Sequence, residues 1–142
     1  MTDADLFGKA SRREPNYWQR QLRNAPHTHA RIESQALESG PLIFAANSSR
    51  LDRCTGKNWM AVGDAAMAFD PLSSQGVYNA LMSGLRAAQT IECFRAGDHR
   101  VSHRYPVVIQ NTFAKYLAVR EKYYRRETRW PNSPFWKRRR GT

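Results

Sequence analysis

The chain has 142 residues, 41% hydrophobic and 25% charged, with a formal net charge of +11. That composition suits one packed core and excludes disorder throughout, and no apolar run approaches the roughly 20 residues of a membrane-spanning helix. The opening "MTDADLFGKASRRE" has acids before any base and no apolar core, so no secretory leader is read there, and Cys54 and Cys93 form no Cys-x-x-Cys pair; together these predict a reduced, cytoplasmic protein.

In chain order, "REPNYWQRQLRNAP" predicts a helix with Pro15 in its first turn and Tyr17, Trp18, Gln21 and Leu22 on one side. "HTHARIESQALESG" predicts a second short helix, capped by Thr28 and stopped by Gly40. "PLIFAANSS" reads as a strand, "LDRCTGK" as a turn carrying Gly56, and "NWMAVG" as a second, buried strand. The helix "GVYNALMSGLRAAQTIECFRAG" places Val77, Ala80, Leu81, Gly84, Leu85, Ala88 and Ile91 on one stripe expected to be buried, with Gly84 expected against another backbone. A last helix, from about His103 or Val107 to Thr128, is expected to be interrupted early by Pro106 and to carry Phe113, Tyr116, Leu117, Arg120 and Tyr124 on one face, before Pro131 and Pro134 end regular structure. The fold class is therefore α/β (an α+β piece), with two short strands and long helices. Two strands make a poor sheet alone, which predicts the closing part of a larger sheet-containing domain. Three regions are expected: 1–56, 57–97 and 98–142.

The positive charge is local. Residues 1–94 hold 10 Lys/Arg against 9 Asp/Glu, while residues 95–142 hold 13 against 3. Tyr123, Tyr124, Trp130, Phe135 and Trp136 are interleaved with the arginines, a pairing that could stack bases and hold phosphates. No recognised nucleic-acid module accompanies it, so a solvated face or tail is the favoured reading. His99 and His103, four apart, lack a third metal ligand, and His27 and His29 are weaker still; no metal site is assigned. Tyr123, Tyr124 and Trp130 are expected to anchor packing, and both cysteines to be inert.

The chemistry gathers in "NWMAVGDAAMAFDPLSSQGVYNAL". Gly63 at a strand end permits close approach to the backbone. Asp64 follows where α/β folds bind ligands, with a carboxylate able to accept hydrogen bonds from sugar or ribityl hydroxyls. Asp70 before Pro71 sets an extended turn, and Ser73 or Ser74 is expected to cap the next helix. Gly76 and Val77 then offer backbone N–H groups at a positive helix end, suited to an anion or an electron-rich ring. No His–Asp partner pattern accompanies Ser74, so no side chain here is assigned catalysis.

"GDAAMAFDPLSSQG" resembles the second flavin motif of FAD-dependent monooxygenases and halogenases of the p-hydroxybenzoate hydroxylase type. The resemblance implies that Asp64 binds the flavin ribityl chain, that Pro71, Ser74, Gln75, Gly76 and Val77 belong to the loop and helix start facing the isoalloxazine ring, and that Gly63 and Asp70 complete the cofactor-binding set. "APHTHARIESQALESGPLIFAANSSRLDR" and "KYYRRETRWPNSPFWKRR" are similar to the flanks of bacterial flavoproteins related to tryptophan halogenases, among them enzymes that hydroxylate Tyr or Trp side chains of a partner protein in quinone-cofactor maturation. It further implies FAD as cofactor, NAD(P)H or a flavin reductase as electron donor, and an aromatic small molecule or a partner's Tyr or Trp as substrate. The chain departs from the pattern in two respects, one being the absence of the Trp-x-Trp pair associated with the halogenases. Its glycines, at 8, 40, 56, 63, 76, 84, 97 and 141, include no two separated by a single residue, so the Gly-x-Gly-x-x-Gly cradle for ADP is missing. The expectation is a C-terminal part of a flavoprotein, inactive in isolation. The rival expectations are a small basic module for nucleic acid or an acidic partner, and an inactive remnant.

Overall fold

The structure, a computed structural model, describes residues 3–7, 16–32, 34–35 and 44–140. In chain order its elements are helices α1 (Tyr17–Arg23) and α2 (Pro26–Ile32), strands β1 (Ser49–Arg50), β2 (Thr55–Gly56) and β3 (Trp59–Met60), a 3₁₀ turn at Gly63–Ala65, strand β4 (Met67–Ala68), a second 3₁₀ turn at Pro71–Ser73, and helices α3 (Gly76–Arg95), α4 (Val101–Arg126) and α5 (Pro134–Arg140). The mixed helix-and-strand class is as read from sequence. The chain divides into two compact units, residues 1–44 with 132–142, and residues 45–131.

In the first unit, α1 ends where the Asn24 N–H bonds the carbonyls of Gln21 and Leu22. Pro26 then opens α2 and Pro134 opens α5. A first-turn proline forfeits an N–H that has no helical acceptor anyway. Thr28 is therefore inside α2 rather than at its cap, and Pro134 starts a helix instead of ending regular structure; Pro15 and Gly40 lie outside the described residues. The "KRRR" run is partly neutralised within this unit. Arg138 bonds Asp3 at 2.9 Å and Asp5 at 2.8 and 2.6 Å, and Arg139 bonds Asp3 at 2.6 Å. The Arg138 guanidinium holds the Asp5 carboxyl down to about 2.

The second unit contains four two-residue strands where two longer ones were expected. Antiparallel β1 and β4 pair Ser49 with Ala68 and Arg50 with Met67. Antiparallel β2 and β3 pair Thr55 with Met60 and Gly56 with Trp59. Of the expected strand through "PLIFAANSS", residues 41–43 lie outside the described residues, and 44–48 are irregular. The expected turn at 51–57 supplies a hairpin strand, because the Trp59 indole lies across Gly56: a Cβ there would sit 2.1 Å from its Nε1. "NWMAVG" is only partly buried, with Trp59 48% and Val62 39% exposed.

Helix α4 runs through Pro106 without a break. Proline in the second turn loses one bond near a helix end rather than in mid-helix, so the rest of the helix is unaffected. Its inner face carries Tyr105, Ile109, Tyr116 and Tyr124, all buried, with Phe113, Leu117 and Arg120 half-buried beside them. Tyr105 and Ile109 meet Cys54, Ala66, Met67 and Ala87 in the core, and the Tyr105 hydroxyl donates to the Ala61 carbonyl at 2.8 Å. Tyr123 is 64% and Trp130 58% exposed, whereas Tyr124 is buried and is the packing anchor among the three that burial bears out. Cys54 is buried and Cys93 exposed, both unbridged.

Helix α3 reverses the expected orientation. Its buried residues are Asn79, Ser83 and Ala87, while Val77 (77%), Leu81 (69%), Leu85 (54%) and Ile91 (49%) face outward. A Cβ built on Gly84 meets nothing within 4 Å among the described residues, so none of their backbone packs there. At 100° per residue, 79, 83 and 87 lie roughly opposite 77, 81, 85 and 88, so burying one set exposes the other.

Candidate functional site

The site is built where the hairpin hands over to α3. The chain leaves β3, turns at Gly63 with φ +56°, and crosses Asp64 in a single 3₁₀ turn. Gly63 has two reasons to be glycine: its positive φ disfavours a side chain, and a Cβ would lie 3.3 Å from the Ala80 Cβ of α3. One close approach at Gly63 is thus made by α3. The Gly63 N–H donates to Ser83 Oγ at 2.8 Å, and that hydroxyl donates to the Ala80 carbonyl at 3.1 Å. Asp64 is exposed, and its carboxylate has no partner among the described residues. Ala65 is exposed while Ala66 is core, so only one of the two alanines remains at the surface.

The next loop is gripped from behind. Asp70 is 7% exposed; its carboxylate accepts the Leu72 N–H at 3.0 Å and the Tyr124 hydroxyl. The Asp70 N–H donates to the Tyr116 hydroxyl at 2.7 Å. Tyr116 stacks on Phe69 with ring centroids 4.1 Å apart, and its oxygen lies 2.5 Å from Ser48 Oγ, which also accepts from Arg120 Nη1 at 2.8 Å. Asp70 therefore faces the interior and secures the loop. Two tyrosines of α4, far along the chain, set the conformation of the Asp-Pro turn.

That grip delivers the chain to α3 through Ser74 in the left-handed region (φ 53°) and Gln75. Ser74 does not cap α3: its backbone is committed to the reversal, while Ser73 Oγ accepts the Gln75 N–H at 3.3 Å. The helix has no side-chain cap and no acid in its first turn. Its first intrahelical closure is the Asn79 N–H to the Gln75 carbonyl at 2.9 Å, so the N–H groups of Gly76, Val77 and Tyr78 have no helical acceptor. The positive end of a 20-residue helix is unneutralised there. A Cβ at Gly76 would meet nothing within 4 Å, so no packing among the described residues calls for glycine at that position.

The arrangement presents a free carboxylate, a conformationally pinned loop and a bare helix N-terminus. These suit a ligand with hydroxyls at one end and an electron-rich, hydrogen-bond-accepting edge at the other, and a ribityl chain joined to an isoalloxazine ring has both. The sequence singled out Gly63, Asp64, Asp70, Pro71, Ser74, Gln75, Gly76 and Val77. The structure gathers them into one stretch of turns and helix start, with Asp70 on its inner side. Sequence reasoning missed Ser83, Tyr116 and Ser48. Only the spacing of Asn79, Ser83 and Ala87, a second small or polar stripe along α3, hinted at the first.

Among the described residues no group of three His, Cys, Asp or Glu side chains could hold a metal. His99 precedes α4 and packs edge-on to Phe94 with centroids 4.5 Å apart, so it shares no helix face with His103. No helix among the described residues is long and apolar enough to cross a membrane.

No protein-family model matches the chain. It is 33% identical over 81 residues to the FAD-dependent oxidoreductase LodB of Marinomonas mediterranea, a match covering 57% of this chain and 21% of that protein. Over 40 residues it is 58% identical to a digeranylgeranylglycerophospholipid reductase of Methanosphaerula palustris, covering 28% of this chain and 10% of the reductase. The structure superposes on peptidyl tryptophan dihydroxylase QhpG, essential for tryptophylquinone cofactor biogenesis, with a TM-score of 0.78 and 28% identity, over 97% of this chain and 33% of that one. The chain is a homologue of FAD-dependent oxidoreductases. It spans about a fifth or less of the curated relatives it matches and a third of the solved homologue.

Proposed function

We propose that this chain forms the flavin-facing wall of an FAD-dependent hydroxylase acting on an aromatic ring, with residues 57–97 as its cofactor-contacting stretch. The observation that carries this reading is the uncapped start of α3 at a glycine that no packing among the described residues requires. When bound, FAD supplies the oxygen-transfer chemistry, and the protein orients and shields it. Asp64 accepts hydrogen bonds from the ribityl hydroxyls. The Gly76 and Val77 N–H groups face the electron-rich edge of the ring and stabilise negative charge there. Gly63, Pro71, Ser74 and Gln75 shape the path between these points, and Asp70 holds it from the inside.

Hydroxylation is favoured over halogenation by the likeness to a peptidyl tryptophan dihydroxylase, which also favours a Trp or Tyr side chain of a partner protein over a small aromatic. Electrons come from NAD(P)H or a flavin reductase, in a cytoplasm that keeps Cys54 and Cys93 reduced. The test is a flavin fluorescence titration of the whole chain. Because the contacts are to ribityl and ring, FMN and FAD should bind with similar affinity. Asp64→Ala should weaken both by about tenfold, as for a lost charged hydrogen bond. Unchanged affinity in that variant rules out the role given to Asp64.

A second reading, a module for nucleic acid or an acidic partner, draws on Arg104, Lys115, Lys122 and Arg126. These lie on one exposed side of α4 without an acidic partner among the described residues. It requires binding that weakens steeply with salt through counterion release. Salt-insensitive flavin binding without nucleic-acid affinity removes it.

A further inference from the structure

On either side of the corner at residues 96–100, the end of α3 and the start of α4 frame a cleft of about 230 Å³. Its α3 wall carries Arg86, Thr90 and Cys93, and its α4 wall Val101, Arg104 and Tyr105. Residues three and four apart share one side of a helix, so each wall is a single helix side. The floor is apolar in effect. Val101 and Tyr105 are buried there, and the two hydroxyls of the lining are already spent. Tyr105 donates to the Ala61 carbonyl and Thr90 to the Arg86 carbonyl, each at 2.8 Å.

The charge on the walls is the reverse. Arg86 and Arg104 line the cleft from opposite helices, and neither guanidinium has a hydrogen bond or ion pair among the described residues. No carboxylate lines the cleft to offset them. Of the acids nearest in sequence, Glu92 is not in the lining, and Asp98 is held by Arg100 at 3.2 Å. Two uncompensated cations over an apolar floor call for a ligand with an anion at one end and apolar carbon at the other. A guanidinium fork matches a planar carboxylate. A bare sulfate or phosphate answers the charge and leaves the floor uncovered. The volume lies below the roughly 300–1,000 Å³ of sites for drug-sized ligands, which limits the ligand to a small one.

We propose that this cleft binds a small carboxylate with an apolar body, its carboxylate held between Arg86 and Arg104 and its carbon skeleton laid over Val101 and Tyr105. The site does not depend on the flavin reading. Arg86 is about 15 Å along α3 from Gly76 at the helical rise per residue, and the rest of the α3 wall lies farther from that helix start.

The test uses Cys93, an exposed thiol in the cleft wall, as reporter, and the buried Cys54 as a check that the fold is intact. The full chain is alkylated with iodoacetamide, a neutral reagent, and each cysteine's labelling rate is read by peptide mass spectrometry with naphthylacetate as the probe. Near saturation the probe is expected to slow Cys93 labelling about tenfold, because only the open fraction reacts. Arg86→Gln and Arg104→Gln should each raise the half-protecting concentration about tenfold, as loss of a charge-assisted hydrogen bond implies. Lys57→Gln, in the hairpin turn, should not. Arg104 is exposed, so its variant keeps the fold even where Arg86→Gln disturbs it. Naphthylethanol, with the same rings and no charge, should protect far more weakly. Equal protection by naphthylethanol, or by sulfate at matched ionic strength, overturns the proposal. So does protection that Arg104→Gln leaves unchanged, or no protection while Cys54 stays shielded.

Discussion

Helices α3 and α4 lie side by side in one unit and use their faces in opposite ways. α4 turns its large apolar and aromatic residues inward, with Tyr105 2% and Ile109 1% exposed, and leaves Arg104, Lys115, Lys122 and Arg126 to water. α3 turns Asn79, Ser83 and Ala87 inward and leaves its leucines outside. The difference separates two jobs. α4 is anchored by burial, the ordinary source of helix stability in a small domain. The inner side of α3 is chosen for fit, since a Cβ at Gly63 would lie 3.3 Å from the Ala80 Cβ and the Ser83 hydroxyl satisfies the buried Gly63 N–H. An apolar residue is buried wherever there is room; a glycine turn with an orphan donor must be met by one particular neighbour.

The contrast can be broken most decisively in the α4 core. Ile109→Ala should cost about 2–5 kcal/mol in denaturant unfolding, as a buried cavity does. A loss under 1 kcal/mol would mean that α4 is not the anchor. Next come the loop grips. Tyr116→Phe strands the Asp70 N–H and Ser83→Ala strands that of Gly63, and each should cost about 1–3 kcal/mol, the penalty for an unpaired buried donor. Tyr116→Phe should also weaken flavin binding by loosening the Asp-Pro turn, a readout that a loss of packing alone would not move while the chain remains folded.

Burial pushes the Cys54 thiol and the Tyr105 phenol above their ordinary 9.0 and 10.0. The unfolded chain therefore ionises first. Stability is fully present below about pH 9 and declines as pH rises beyond it. Cys54→Ala should flatten the first part of that decline in urea midpoints taken between about pH 8 and 11. By contrast, Leu81→Ser on the outer face of α3 should shift the chain's own stability by no more than about 0.5 kcal/mol. A larger loss would show that the stripe is covered in the chain itself. The smallest effect belongs to the exposed Arg138–Asp5 pair. Asp5 is held down to about 2, so what the pair contributes is present above the ordinary 3.8 and lost as pH falls toward 2. Arg138→Ala should return the Asp5 titration, followed by NMR, to near 3.8.

What the sequence determined by itself was local. The 3.6-residue periodicity of α3 and α4, the glycine turn at Gly63, the Asp-Pro turn and the helix start at Gly76 all follow from residues within a few positions of one another, and the flavin-type motif is made of those same residues. The tertiary structure decided which way each element faces. The periodicity of α3 marks two stripes, and hydrophobicity selects the apolar one as buried; the Gly63 backbone, pressing on Ala80 and bonding Ser83, selects the other. Asp70 reads as a turn former or a ligand until Tyr116 and Tyr124, 46 and 54 residues away, turn it inward. A hydrogen bond across that distance leaves no spacing signature, because its geometry exists only after α4 has packed. The physical boundary lies between torsional and periodic preferences, which the chain carries at every point, and the pairing of buried donors and acceptors, which only the folded core can complete.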